Sequence, residues 1–258
     1  MRTRKNELDK FYTKATLASQ LISLLDLSKY DTIIEPSAGS GSFSKQIPGS
    51  IAIDLQPEDA SIIKADFLKW KPESGIKEKT LVIGNPPFGQ QCSLAIKFIK
   101  HAATFASTIA FILPKSFKKE SVQSKIPSDF HLVSETEIPD NSFTLKGVDY
   151  SVPCVFQIWK QEIYHRNRIK APNLPNDISW TRDTKIANIA VRRVGVYAGK
   201  AFSDLSDKSV QSHYFLIVPE NKKENVLNVL NNTTWLHNNT TGPRSISKKE
   251  FAEILSKL

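Results

Sequence analysis

The feature that most restricts the fold is a β-branched run, Thr32-Ile33-Ile34, that breaks directly into Glu35-Pro36-Ser37-Ala38-Gly39-Ser40-Gly41-Ser42-Phe43. Small residues after a strand let the backbone turn sharply and approach a ligand closely. Such a turn at the carboxyl end of a strand is where an open α/β sheet takes nucleotide-like ligands. No Gly-Lys-Ser/Thr follows, so the turn is not a phosphate P-loop and an ATPase reading loses ground. Further strand-like runs occur at 51–54, 61–64, 80–84, 108–113, 130–136 and 153–159. Leu17, Leu21, Leu24 and Leu25 recur at helical spacing, and 92–105 reads as a second helix. Strands joined by helices predict a mostly parallel sheet covered on both faces, Rossmann-like in plan. The last two strands lie close in sequence, which predicts an antiparallel hairpin at one edge. Cys154 and Trp159 are expected in the core of the second of them.

Near 164–175 the pattern changes to a polar, basic, proline-containing stretch that reads as a linker. Residues 1–160 are therefore expected to form one α/β domain and 161–258 a smaller basic α+β region. In the latter, 185–196 and 212–219 look like strands, and 221–230 and 247–258 like helices. The last of these carries Phe251, Ile254, Leu255 and Leu258 at packing spacing. The net charge of +9 is unevenly divided: 20 Lys+Arg against 17 Asp+Glu up to residue 160, and 15 against 9 beyond it. A basic appendage suits a phosphate backbone. The two cysteines, Cys92 and Cys154, lack metal-ligand spacing, and no metal is expected. The polar N-terminus and the absence of a membrane-length apolar run predict a cytosolic protein without a membrane partner.

The chemistry-bearing residues lie at strand ends. Asp54 closes a strand nineteen residues after Glu35, a spacing suited to accepting hydrogen bonds from ribose hydroxyls. Asp66-Phe67 follows the next strand; an aspartate accepts from an adenine amino group while an aromatic ring packs on the purine. Together with the glycine turn they favour an adenosine-containing ligand. Asn85-Pro86-Pro87-Phe88 ends the strand at 80–84, beside that turn. Two prolines fix the backbone and remove two amide donors, leaving carbonyl acceptors in a rigid arrangement. Asn85 adds a side-chain acceptor, and Phe88 a face for stacking on a base. Two acceptors hold the two hydrogens of an exocyclic amine and re-localise its lone pair for attack on an electrophilic carbon.

This combination resembles the S-adenosylmethionine-dependent N6-adenine DNA methyltransferases, over roughly residues 9–160. The opening Asp9-Lys10-Phe11-Tyr12-Thr13, the cofactor turn Glu35–Phe43 and the tetrapeptide Asn85–Phe88 stand in the order of the group called gamma. The tetrapeptide ends in Phe where the family more often has Tyr. By that resemblance Phe11, Tyr12, Thr13, Glu35, Pro36, Ser37, Gly39, Gly41, Asp54, Leu55, Asp66, Phe67 and Asn85 line the S-adenosylmethionine pocket. Asn85, Pro86, Pro87 and Phe88 hold the target adenine, and Phe143 is the candidate for its second face. DNA is the implied substrate, with RNA as the nearest rival, and the base is flipped out of a duplex to be reached. A restriction-modification setting with a partner nuclease comes with the same resemblance. Phosphate contacts are expected from Lys115, Arg166, Arg168, Lys170, Arg192, Arg193, Lys200, Arg244, Lys248 and Lys249, with His213, Tyr214, Trp235 and His237 interspersed. Competing readings are methylation of a protein glutamine amide, also a planar NH2, and a catalytically silent nucleic-acid-binding subunit.

Overall fold

A computed structural model describes residues 11–73, 79–145, 147–167, 172–235 and 243–258. The chain divides into two compact units, residues 1–167 and 168–258. The division falls beyond residue 160 because the chain up to Arg166 stays on the first unit. The amides of Glu162 and Arg166 donate to the carbonyls of Asp129 and Ser128.

In the first unit the elements are β1 (Tyr12–Thr13), α1 (Ala15–Ile22), β2 (Thr32–Pro36), β3 (Ile51–Asp54), β4 (Ile63–Lys64), β5 (Thr80–Gly84), α2 (Ser93–Ala102), β6 (Thr108–Pro114), α3 (Glu120–Gln123), β7 (Phe130–Glu137), β8 (Phe143–Leu145), β9 (Val148–Tyr150) and β10 (Cys154–Gln161). Seven strands form one sheet in the order β4-β3-β2-β5-β6-β10-β7. The β2–β3, β3–β4, β2–β5 and β5–β6 pairs are parallel; β10 runs antiparallel to both neighbours. This is a Rossmann-like α/β unit. The strand order reverses between β2 and β5, which opens a crevice at their carboxyl ends.

Period-two alternation divides the side chains of the central strands between two cores. Val82, Ile109, Phe111 and Leu113 face Ile96, Phe98 and Ile99 of α2. Leu81, Ile83, Ala110 and Ile112 face Leu17 and Leu21 of α1. Burying one such side chain contributes about 1.5–3 kcal/mol. Leu24 lies past the end of α1 and is exposed. Cys154 and Trp159 are fully buried, as expected of β10.

The expected edge hairpin is modified in two ways. Only β7 is at the edge, because β10 inserts between it and β6. The connection is also not a turn: β8 and β9 leave the main sheet and pair with β1 in a separate sheet of order β1-β8-β9. The strand expected at 61–64 is reduced to β4, because Asp59 accepts from the Ser61 amide and hydroxyl and holds a turn there.

The second unit contains β11 (Ser179–Thr181), β12 (Ile189–Arg192), β13 (Ala201–Phe202), β14 (His213–Ile217), α4 (Glu220–Asn232) and α5 (Lys248–Leu255). Its antiparallel sheet has the order β11-β14-β12-β13. Ile189, Val191 and Leu216 pack with Val226 and Leu230 of α4 and Phe251 and Leu255 of α5. A capping box starts α5: the Glu250 amide donates to Ser247 Oγ, and the Ser247 amide donates back to Glu250 Oε2 at 2.8 Å. The short strands β11 and β13 had no sequence signal strong enough to find them. Among the described residues no helix is long and apolar enough to cross a membrane.

His213 gives this unit a pH dependence. It is buried beside Phe202 and Phe215, with Nδ1 3.0 Å from Ser212 Oγ. Burial lowers its pKa below the usual imidazole value, with the Ser209 carbonyl opposing that shift. The folded state then binds fewer protons than the unfolded one, so its contribution to stability is lost as pH falls below about 6.5. Thermal unfolding between pH 7.5 and 5 should show this loss in the wild type and a flatter profile in His213→Gln.

Candidate functional site

The glycine turn leaves β2 at Pro36 and is held from below by Glu35. This carboxylate is buried and accepts the amides of Phe43 and Ser44 at 3.2 and 2.7 Å. Burial raises its pKa, and the hydrogen bonds from Ser44 and Phe43 oppose that rise. Glu35 thus supports the turn from within and does not face a ligand. Ser37 and Gly39 both have positive φ, at 55° and 57°. At Gly39 a side chain is disfavoured twice: a Cβ there would lie 3.3 Å from the Tyr12 ring, and the backbone is in the left-handed region. The Gly41 amide closes the turn on the Ala38 carbonyl at 2.7 Å.

Asp54, at the tip of β3, accepts the Gly39 amide through Oδ2 at 2.8 Å and the Gln56 amide through Oδ1 at 2.7 Å. Each carboxylate oxygen keeps a further lone pair for a hydroxyl. Leu55 beside it is exposed. Asp66 accepts the Leu68 amide at 3.1 Å and lies 3.8 Å from Lys69 Nζ.

The strand β1 lies across the turn. Its Thr13 carbonyl accepts Ser42 Oγ at 2.8 Å, and the Tyr12 hydroxyl donates to Glu58, whose own amide donates to the Gly39 carbonyl. Desolvation, then the bond to Glu58, pushes the Tyr12 phenol up to about 12. Beside the turn is a cleft of about 420 Å³ lined by Tyr12, Thr13, Gly41, Ser42, Lys45 and Glu58, among others. Asp54, Asp66 and the tetrapeptide do not line it. Glu58 and Ser42 were not among the residues expected from sequence. Glu58 sits in an ordinary polar run, and only the fold brings it to Tyr12.

At the neighbouring strand end, Asn85-Pro86-Pro87-Phe88 follows β5 without a break. Asn85 Nδ2 donates to Thr13 Oγ1 at 3.3 Å. With the amide nitrogen taken, Oδ1 is the end left to accept. The Phe88 carbonyl accepts the Leu94 and Ala95 amides at the start of α2, which fixes the tetrapeptide's far end. Among the described residues no hydrogen bond is made to the Pro86 carbonyl. The Phe88 ring is half-buried and packs partly on the core under β5.

Besides Glu35, three more expected residues are placed otherwise. Phe143 is 1% exposed, packed with Ile138 and Phe156, and offers no face to a base. Tyr150 stands directly opposite it in β9, on the same side as Phe143 and Thr13, and is exposed, with its ring 5.0 Å from that of Phe11. Phe67 is 3% exposed and stacked on Phe98, so it supports Asp66 from the core and does not cover a purine. Arg166 donates to the carbonyls of Gln123, Ile126 and Pro127 at 3.0–3.3 Å and lies over Trp159, which binds it to its own unit and not to a phosphate. Lys115 is paired with Glu137 at 3.0 Å. Arg168, Lys170 and His237 lie outside the described residues. In the second unit Arg193 and Lys248 both lie over Tyr214, and Lys248 also over Trp180.

Residues 50–174 match the family described as the EDM2 methyltransferase-like domain. The match takes in Asp54, Asp66 and the whole tetrapeptide, over slightly less than half of the chain. No curated protein matches significantly. Among solved structures, a protein assigned as an RNA methyltransferase from Pyrococcus horikoshii superposes with a TM-score of 0.46 at 16% identity, covering 63% of this chain and 91% of the other. The 23S rRNA methyltransferase ErmE gives 0.44 at 13% identity, over 62% and 72%. The magnesium protoporphyrin IX methyltransferase of Synechocystis, solved with bound S-adenosylmethionine, gives 0.41 at 12%, over 57% and 77%. Residues 50–174 are thus similar in sequence to a methyltransferase-like domain, and the glycine turn at 36–43 lies outside that match.

Proposed function

We propose that the chain transfers the methyl group of S-adenosylmethionine to the exocyclic N6 of adenine in a nucleic acid, DNA before RNA. The observation that carries this reading is the Asn85-Pro86-Pro87-Phe88 tetrapeptide at the switch point of the sheet. Its asparagine is turned by Thr13, and it stands next to a glycine turn braced by Glu35 and Asp54. The cofactor fits the donor set: the Asp54 carboxylate for ribose hydroxyls, Asp66 for the adenine amine, and small residues at the turn for close backbone approach. When bound it supplies an electrophilic methyl group.

The chain's own residues do the rest. Asn85 Oδ1 and the Pro86 carbonyl accept the two hydrogens of the target amine. Acceptors placed out of the ring plane favour a tetrahedral nitrogen and return the lone pair to it. Fixed dipoles of this kind need no reorganisation during the reaction. Holding the amine in line with the methyl carbon adds the positional part of the rate. The Phe88 ring gives the base a stacking partner, and the departing proton leaves to solvent after transfer. Preference for DNA rests on the opening segment and the separate basic region, both of which resemble DNA enzymes. Transfer of labelled methyl with DNA and RNA competing in one reaction tests that preference; predominant labelling of the RNA would reverse it.

Thr13 has a defined part in this scheme, since it orients Asn85. Thr13→Val keeps the shape and removes the hydroxyl. We expect kcat to fall roughly tenfold, the effect of losing about 1.4 kcal/mol of orientation. KM for the cofactor should change less than threefold, and Thr13→Ser should restore most of the rate. A rise in KM with unchanged kcat would assign Thr13 to cofactor binding alone.

A further inference from the structure

The second unit carries a hairpin tip that neither the family match nor the tetrapeptide explains. The chain turns back between β12 and β13: the Arg192 amide donates to the Lys200 carbonyl and the Gly199 amide to the Arg192 carbonyl, both at 2.8 Å. A distant segment joins it. The Gly195 amide donates to the Arg244 carbonyl, the Ile246 amide to the Arg193 carbonyl, and Val194 bridges Ser245. Arg193, Lys200 and Arg244 are thereby gathered around one loop, although Arg244 lies far along the chain. Arg192 is spent on the loop itself, with Nε donating to the Val194 carbonyl at 2.8 Å. Among the described residues no acid is paired with Arg193, Lys200 or Arg244.

At the apex stand Val196 and Tyr197, 78% and 68% exposed. At its base Gly199 sits so close to the Trp235 indole that a methyl group there would collide with it. Lys200 Nζ lies 6.0 Å from the centre of the Tyr197 ring, over its face. An exposed flat ring stands here among cations that no acid pairs among the described residues, with Lys200 also 5.8 Å from the centre of the Phe202 ring. It matches a strand in which a π-face and phosphates alternate.

We propose that this tip is a nucleic-acid contact, with Tyr197 stacking on an unpaired or end base and Lys200 and Arg244 on the adjoining phosphates. The proposal rests on the nucleic-acid part of the function above, not on methyl transfer. Binding is therefore measured with cofactor withheld, and transfer separately, so that either can fail alone.

The probe is a fluorescent 20-nucleotide single strand, DNA and RNA in parallel, with the full chain and a salt series. Tyr197→Ala is expected to weaken binding roughly tenfold, the effect of one lost stacking contact, and Tyr197→Phe to restore it. On an otherwise identical abasic strand Tyr197→Ala should cost nothing. The double change Lys200→Ala with Arg244→Ala should flatten the slope of log affinity against log salt by about 1.4, two single-strand phosphates' worth. Unchanged circular dichroism and thermal midpoint verify that each variant is folded. Wild-type affinity and slope in the variants would overturn the proposal, as would an equal loss on the abasic strand. It would also be overturned if the variants lost binding to phosphatidylserine vesicles while keeping their oligonucleotide affinity.

Discussion

Replacing Asn85 with alanine is expected to lower kcat for methyl transfer by about 10²–10³-fold, the usual cost of removing one fixed hydrogen-bonding group at a reacting centre. The cofactor should still bind within about threefold, because the Asn85 side chain hydrogen-bonds to Thr13 and not to the glycine turn. The asymmetry follows from the geometry. Two acceptors are needed to hold both amine hydrogens, and the Pro86 carbonyl alone leaves the nitrogen free to stay planar. Asn85→Asp should retain more activity than Asn85→Ala, because the carboxylate keeps an acceptor for the amine and can take the hydrogen of the Thr13 hydroxyl. Single-turnover transfer from labelled cofactor, with binding read by calorimetry, separates the two effects. Transfer at the wild-type rate in Asn85→Ala would remove the residue from the reaction.

Asp54→Ala should have the opposite signature. The carboxylate accepts two backbone amides of the site, from Gly39 and Gln56, and is the acceptor proposed for ribose. Hydrogen bonds to a charged acceptor contribute about 1.5–3 kcal/mol each. Losing those to the ribose, together with the support of the Gly39 amide, should raise the cofactor dissociation constant by at least about 100-fold. Saturating cofactor should recover much of kcat, since Asp54 holds no reacting atom. A dissociation constant within threefold of wild type would mean that the ribose is held elsewhere, and Glu58 would be the next candidate.

The parts of this site legible in the sequence are those whose meaning is local. Thr32–Phe43 is a strand breaking into small residues, and the tetrapeptide is two prolines behind an asparagine; neither needs a distant partner to be read. The misread residues depend on long-range pairing. Whether Phe143 faces a cleft or a core is decided by its pairing with Thr13, more than a hundred residues earlier; Tyr150, on the same face, is exposed because it lies on the outer strand β9. Phe67 follows the strand-end acid as expected, but its facing is set by Phe98 on α2. Arg166 lies in a basic run that reads as solvated, yet three carbonyls around Ile126 take its guanidinium. Charge counts carried the opposite lesson for Arg244. Composition put it in a basic region, but the pairing of 244–246 with 193–195 is what brings its backbone to the tip.

The fold was more readable than the site. The strands β2, β3, β5, β6, β7 and β10 correspond to apolar or β-branched runs, and α2 to a helical spacing. The insertion of β10 between β6 and β7 is signalled only by the polar second half of β7, Ser134-Glu135-Thr136-Glu137, which suits an edge, against the almost wholly buried β10. Topology there is decided by which pairing buries Trp159 and Phe130 together, a property of the assembled sheet.

The most direct test is the identity of the methylated nucleoside. DNA incubated with the full chain and isotopically labelled S-adenosylmethionine is digested to nucleosides and resolved by mass spectrometry. N6-methyldeoxyadenosine carrying the label, absent with Asn85→Ala, is the expected result. Label on a cytosine or guanine, or label only on protein, would contradict a site in which Asn85 and Pro86 grip the adenine amine.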